Sequence, residues 1–329
     1  MSHRPLPLYA LLTLLVVGLF CASLALGRAA LPWSELGGEG AQAETLRLIL
    51  IEIRLPRALL GLLLGAALGL SGAALQGFLR NPLADAGLIG ISATASFGAV
   101  LALYTGLYAS FALALPLGGL LGAGLGVLLI YLLAGHDSSM LTLILTGVAI
   151  NSFAGALTAL VLNFAPNPYA ILEIVFWLLG SLADRSLDHF WLALPFVLAG
   201  TALLFSSARA LDALSLGEDS AASLGFRLAT VRWQVIGGTA LAVGAAVAVS
   251  GAIGFVGLVV PHLLRPWVGQ RPGALLAASA LAGAALLLAA DIAVRLLPTE
   301  LELKLGVVTA LIGGPFFLHL LWQTRRQLT

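Results

Sequence analysis

About ten apolar runs, most of them near the ~20 residues that a membrane-spanning helix requires, follow one another along this chain. Nothing else in the sequence restricts the fold so severely. In lipid every backbone amide must be satisfied internally, which leaves helices and closed barrels. A barrel would alternate apolar and polar residues over short segments, and these runs are continuously apolar. Composition agrees. Of 329 residues, 60% are hydrophobic and 9% charged, where soluble domains carry about 25% charged residues. The mean hydropathy is +1.06. Thirty-eight glycines suit helices that approach closely in a bilayer. The expectation is an all-α polytopic membrane protein of about ten transmembrane helices, forming a single domain over 1–329. A net charge of +1 suggests no nucleic-acid partner.

The first run, 7–26, follows a basic start and is long for a signal-peptide core, so it reads as a retained span, with a cleaved signal as the alternative. The others fall at about 56–79, 87–104, 111–134, 140–162, 190–206, 233–249, 255–268, 273–296 and 305–322. A short amphipathic helix is expected near 43–53, and another, apolar, ends at Gly180 after the helix stops Pro166 and Pro168. Ten spans put both termini on one side. With the termini cytoplasmic, nine of the 16 basic residues lie on that side, the sense of the positive-inside rule.

Residues 65–73 read GAALGLSGA and residues 244–252 read GAAVAVSGA, matching at six of nine positions. The same offset carries Pro82 onto Pro261. The two segments lie five spans apart, so they run in opposite senses through the bilayer. That is an inverted repeat, the architecture by which transporters alternate access, with approximate halves 1–187 and 188–329.

One polar interruption stands out. Residues 211–228, LDALSLGEDSAASLGFRL, read as two short amphipathic helices joined at Gly217. Glu218 and Asp219 fall in the first turn of the second, where carboxylates suit the helix dipole. Gly225 stands where a helix C-terminus favours a left-handed residue.

Covalent chemistry finds no foothold. A phosphate-binding GxxxxGK[ST] loop needs a Gly before its Lys and a Ser or Thr after it; the single lysine, Lys304, has leucines on both sides. There is no GxSxG and no HExxH, and the five histidines are scattered. The one cysteine, Cys21, excludes an internal disulfide and any Cys-based metal cluster. No catalytic residue, metal or cofactor is expected, and any ATP and Mg would sit on a partner subunit. Asp291 and Arg295, four apart, share a helix face and read either as a local ion pair or as a docking or pathway feature. In RLPR, Arg54 and Arg57 sit at the outer mouth of the second span and, with Arg295, could form a basic rim for an acidic partner. RNPLADAGLIG (80–90) breaks a helix at Asn81–Pro82, a natural inner gate.

Taken together the motifs resemble those of the iron-chelate and cobalamin permease family of bacterial ABC importers. They are IRLPR (53–57), GAALGLSGAALQ (65–76), RNPLADAGLIGIS (80–92), LSLGEDSAASLG (214–225), SGAIGFVGLVVPHLLR (250–265), ADIAVR (290–295) and GVVTALIGGPFF (306–317). The resemblance implies two copies of this chain around a pathway in the inner membrane. Two ABC ATPase subunits would lie beneath and a periplasmic binding protein above. It implies coupling to the ATPase through Leu214, Leu216, Gly217, Glu218, Ala222, Leu224 and Gly225. It implies docking of the binding protein on Arg54, Arg57 and Arg295, a cytoplasmic gate at Asn81, Leu83, Ser138 and Ser139, and an outer mouth lined by a helix near 169–180. The pathway is expected along Ser71, Gly72 and Gln76. The chain departs from the family pattern at GQRPGALLA (269–277), at ELKLG (302–306), where Lys304 replaces a proline, and at Ala86. An ion-coupled secondary transporter is the rival reading, with Asp291 its one candidate carboxylate deep in a span; an intramembrane enzyme is a weaker one.

Overall fold

The structure, a computed structural model, describes residues 6–29, 31, 33–35, 38, 40–111, 113–135, 139–299 and 301–328, without the side chains of 35, 320, 321 and 323–328. Every regular element among the described residues is helical. In chain order they are α1 (Leu6–Ala25), α2 (Ala41–Leu48), α3 (Leu55–Phe78), α4 (Ile91–Tyr104), α5 (Leu107–Ser110), α6 (Ala114–Ala134), α7 (Met140–Asn163) and α8 (Pro168–Leu178). Then come α9 (Leu187–Ser206), α10 (Ala208–Leu214), α11 (Glu218–Ser223), α12 (Leu228–Ser250), α13 (Val256–Leu264), α14 (Pro272–Leu296) and α15 (Leu305–Leu328).

Among the described residues, seven segments are long and apolar enough to cross a membrane: α1, the joined α2–α3, α6, α7, α9, α12 and α14. With the shorter apolar α4, α13 and α15 they make up the ten expected spans. The helix expected near 43–53 is not separate. A π-helical turn, Ile49–Arg54, splices α2 onto α3 into one helix, Ala41–Phe78, of 38 residues. Local sequence sets the starts. Ser139 Oγ accepts from the Thr142 N–H at 3.2 Å before α7, and Asn167 Oδ1 from the Ala170 N–H at 2.9 Å before α8, with Pro168 at its first position.

Helices α3 and α12 form the centre: 78% of the apolar stretch of each is buried, against 17% for α1 and α7. Small residues let α3 close up against its neighbours. A Cβ at Gly72 of α3 would run into the carbonyl of Gly257 on α13, and one at Gly65 would meet the backbone of Gly283 on α14. Without hydrophobic drive in lipid, such backbone-to-backbone approach is what holds helices together. The packing is reciprocal. Helix α3 lies along α14 and α13, while α12 lies along α9, α6 and α4. The second span of each half thus packs against helices of the other half. One core runs through both halves.

The nine-residue match does not mark the repeat axis. Gly65 to Ala73 lies mid-helix in α3, whereas Gly244 to Ala252 runs off the end of α12; Pro82 lies in a loop and Pro261 inside α13. The shared letters are small residues wanted for close packing at both places, and the register follows the helices instead.

Candidate functional site

One end of the bundle is built by α10 and α11. Helix α10 sinks Ala210, Leu211, Ala213 and Leu214 into the core, and Asp212 Oδ1 accepts from the Gly273 N–H at 2.7 Å, tying α10 to the start of α14. At Gly217 (φ +110°) the chain turns into α11. That helix ends at Gly225 (φ +88°), where the Phe226 N–H bonds the Ala221 carbonyl at 3.0 Å and the Gly225 N–H that of Ala222 at 2.9 Å. These are the two bonds of a Schellman cap. The pair of helices is therefore rigidly seated, with Ala221 fully buried. The exposed face includes two leucines, Leu216 at 71% and Leu224 at 63%, with Ala222 and Gly225 beside them and Ser215, Asp219 and Ser223 also exposed. Leu214, expected as a contact residue, is fully buried; it anchors the helix instead of presenting it. Glu218 reaches Arg80 at 3.3 Å, both partly exposed.

The expected gate lies at this same end. Arg80 (φ +48°) ends the helix before Pro82 does. Asn81 Oδ1 accepts from the Leu83 N–H at 2.9 Å, folding the loop on itself in an Asx turn. Ser139 caps α7, and Ser138 lies outside the described residues. Burial pushes the carboxyl of Asp85, in this loop, above the ordinary carboxylate range, with the Ala86 N–H opposing.

The three residues expected along the pathway are not on a lumen of this chain. Ser71 is fully buried, Gln76 is 2% exposed, and Gly72 is packed against Gly257. Gln76 Nε2 donates to the carbonyls of Gly257 and Leu258 at 3.3 and 3.2 Å, and its Oε1 accepts from Arg265 at 2.7 Å. These small and polar positions serve helix packing, because α3 is the central helix.

At the other end the expected basic rim turns inward. Arg54, Arg57 and Arg295 are 4%, 7% and 6% exposed. Arg57 Nε meets Asp291 Oδ1 at 2.7 Å, and its terminal nitrogens hold Glu302. Arg295 pairs with Asp291 at 3.0 Å and donates to Ser23 Oγ at 2.6 Å. Arg54 donates to the carbonyls of Leu24, Ala25 and Ala29 at 2.6–2.9 Å. A guanidinium at this depth is costly until it finds acceptors, and the carbonyls released where α1 ends supply them. Asp291, clamped between two arginines, is not a vacant carboxylate for a coupling ion. Sequence reasoning missed Glu302 and Ser23; the lysine two residues after Glu302 was the one signal that this loop differs. Lys304 itself stands 5.6 Å over the ring of Phe176 on α8, a cation–π contact.

Beside this network is an open cavity of about 380 Å³ lined by Glu52, Arg57, Asp184, Arg185, Ser186 and Glu302. Burial lowers the pKa of Arg185, opposed by Asp184. Three carboxylates face two guanidiniums here. Among the described residues no cluster of three or more His, Cys, Asp or Glu could hold a metal ion.

A buried bundle of inverted helical halves, with a capped pair of short helices exposed at one end, defines a polytopic transport permease. The chain belongs to the FecCD transport family, whose model matches residues 14–323. It is 39% identical over 290 residues to the hemin transport system permease of Yersinia pestis, covering 85% of this chain and 84% of that one. It is 40% identical over 282 residues to the cobalamin import system permease of Halobacterium salinarum, covering 84% and 74%. A solved chain described as the inward-facing conformation of a transporter assigned to the metal-chelate ABC type superposes with a TM-score of 0.86 at 34% identity, over 97% of this chain and all of that one. The chain is thus a multi-pass permease subunit of an ABC importer.

Proposed function

We propose that this chain imports an iron chelate (a siderophore complex or haem) or cobalamin across a bacterial inner membrane, with both termini cytoplasmic. Two copies enclose the pathway, two separate ATPase subunits dock on α10–α11, and a periplasmic binding protein delivers substrate at the arginine end. The relatives' substrates support the ligand class. The observation that carries the coupling role is the exposed leucine pair Leu216 and Leu224 on a helix pair whose other face is locked into the core. A soluble motor needs such a rigid handle, since only a rigidly attached element passes on a rocking motion. Hydrolysis on the ATPase then tilts the helices around the pathway, and this chain does no covalent chemistry.

Co-expression of the chain with its ATPase tests the reading. Glu218→Arg, or a residue inserted at Gly217, is expected to abolish copurification of the ATPase while the membrane fold survives. ATPase recovered at wild-type yield with either variant would refute the coupling role.

A further inference from the structure

A second cavity, about 230 Å³, opens at the coupling end and is lined by Gln76, Arg80, Ser215, Arg265 and Gln270 against the first turn of α14. Unlike the cavity beside Glu302, its wall carries two guanidiniums and no carboxylate. Arg265 is part-buried, and its hydrogen bond goes to a neutral acceptor, Gln76 Oε1; no ion pair to it occurs among the described residues. Gln76 is itself spent on the carbonyls of Gly257 and Leu258, so it steadies Arg265 without neutralising it. The neighbouring acids are engaged elsewhere. Asp212 caps α14 through the Gly273 N–H, and Glu218 pairs with Arg80 at 3.3 Å, which leaves Arg265 as the guanidinium without a counter-ion. A cation withdrawn from water without a counter-ion is costly, and oxyanions are the ligands that guanidinium forks match best.

We propose that this cavity binds a phosphate-type oxyanion. The bilayer offers one source and the cytoplasm another. Tyr9 of α1 donates to the Ala274 carbonyl at 2.9 Å, in the same first turn of α14 that walls the cavity; basic pockets between spans at this membrane face are suited to anionic headgroups. The cavity also joins three segments. Arg80 belongs to the gate loop, Ser215 to the α10–α11 turn, and Arg265 and Gln270 to the α13–α14 connection. An anion held there bridges all three.

The experiment uses the full chain purified in detergent. Native mass spectrometry measures retention of phosphatidylglycerol or cardiolipin against phosphatidylcholine, and calorimetry measures binding of inorganic phosphate. At about fivefold per arginine, either Arg80→Gln or Arg265→Gln weakens binding about fivefold, and the double variant about thirtyfold. Arg209→Gln, an exposed arginine of α10 outside the cavity, changes nothing. Anionic-lipid selectivity lost in the double variant supports the site and names a headgroup as its ligand. Phosphate binding lost in that variant supports it and names a soluble anion. No preference for either probe in the wild type, or a preference that survives in the double variant, overturns it. Should Arg265→Gln fail to fold, Arg80→Gln decides alone, because that side chain is half exposed.

Discussion

Arg57 and Arg295 are 7% and 6% exposed, whereas Leu216 and Leu224, at the opposite end of the bundle, are 71% and 63% exposed. The usual distribution of charged and apolar side chains is reversed at both ends. The 24 residues of α3 separate them by about 36 Å. At the arginine end the chain satisfies Arg54, Arg57 and Arg295 itself, using Asp291, Glu302, Ser23 and the last carbonyls of α1. At the coupling end it leaves apolar surface unsatisfied and fixes it in place with a buried face and a glycine cap. The first pattern belongs to a structural clamp. The second is the pattern that the proposed ATPase contact calls for.

Removing the shared carboxylate breaks the comparison hardest. Asp291→Ala leaves two guanidiniums buried without their common partner, a loss of about 3–5 kcal/mol. A large fall in the thermal unfolding midpoint of the detergent-purified chain is expected. Reversing Arg54, Arg57 and Arg295 to Glu should likewise unfold the chain before it reports on docking. An unchanged midpoint for Asp291→Ala would mean that the arginines are solvated, and the basic rim would then stand as a docking surface. Next in size is Gly72→Val. Its side chain has no room against Gly257, and overpacking costs about 1–3 kcal/mol. The same midpoint measures it, and a neutral result would show α3 to be less central than its burial indicates.

The two ends were not equally legible. The exposed helices at 211–228 could be read from letters alone, because glycines and first-turn acids act within a few residues. Span positions were legible for the same reason: apolar length and Gly/Pro stops are local signals, and α1, α7 and α14 fall within a residue or two of expectation. Partners were not. Arg57 and Glu302 are 245 residues apart, and no local rule brings them together. Nor does hydropathy separate helices facing lipid from helices facing protein. Helices α3 and α6 are both strongly apolar, yet 78% of one apolar stretch is buried and 28% of the other. Ser71, Gly72 and Gln76, expected along a pathway, lie on the packed α3, because small residues at helical spacing serve packing first. Leu214 shows the same ambiguity in miniature: in a two-faced helix, a leucine one turn from the exposed face belongs to the core.

Gly225→Ala sharpens the coupling end. At φ +88° a Cβ costs about 1–2 kcal/mol, and the strain falls on the cap holding α11. The expected outcome is a small drop in global stability with faster amide exchange confined to α11, read by hydrogen–deuterium exchange. Exchange raised equally at the arginine end would mean that the two ends are mechanically continuous.

The smallest change is the most discriminating. Glu218 and Arg80 form the one ion pair at the coupling end among the described residues, with side chains 42% and 47% exposed. Exposed pairs contribute about 0.2–1 kcal/mol, so Glu218→Gln should leave the unfolding midpoint within a degree or two. Its charge matters elsewhere. Glu218 opens α11, where a carboxylate is favoured by the helix dipole and offers an incoming partner a negative contact flanked by Leu216 and Leu224. Weaker ATPase association, with a reduced salt dependence, is therefore expected at unchanged stability. The mirror experiment at the other end, Glu302→Gln, removes a carboxylate that holds a buried arginine and should lower stability instead. If both variants behaved alike, the division between a self-satisfied end and a partner-seeking end would fail.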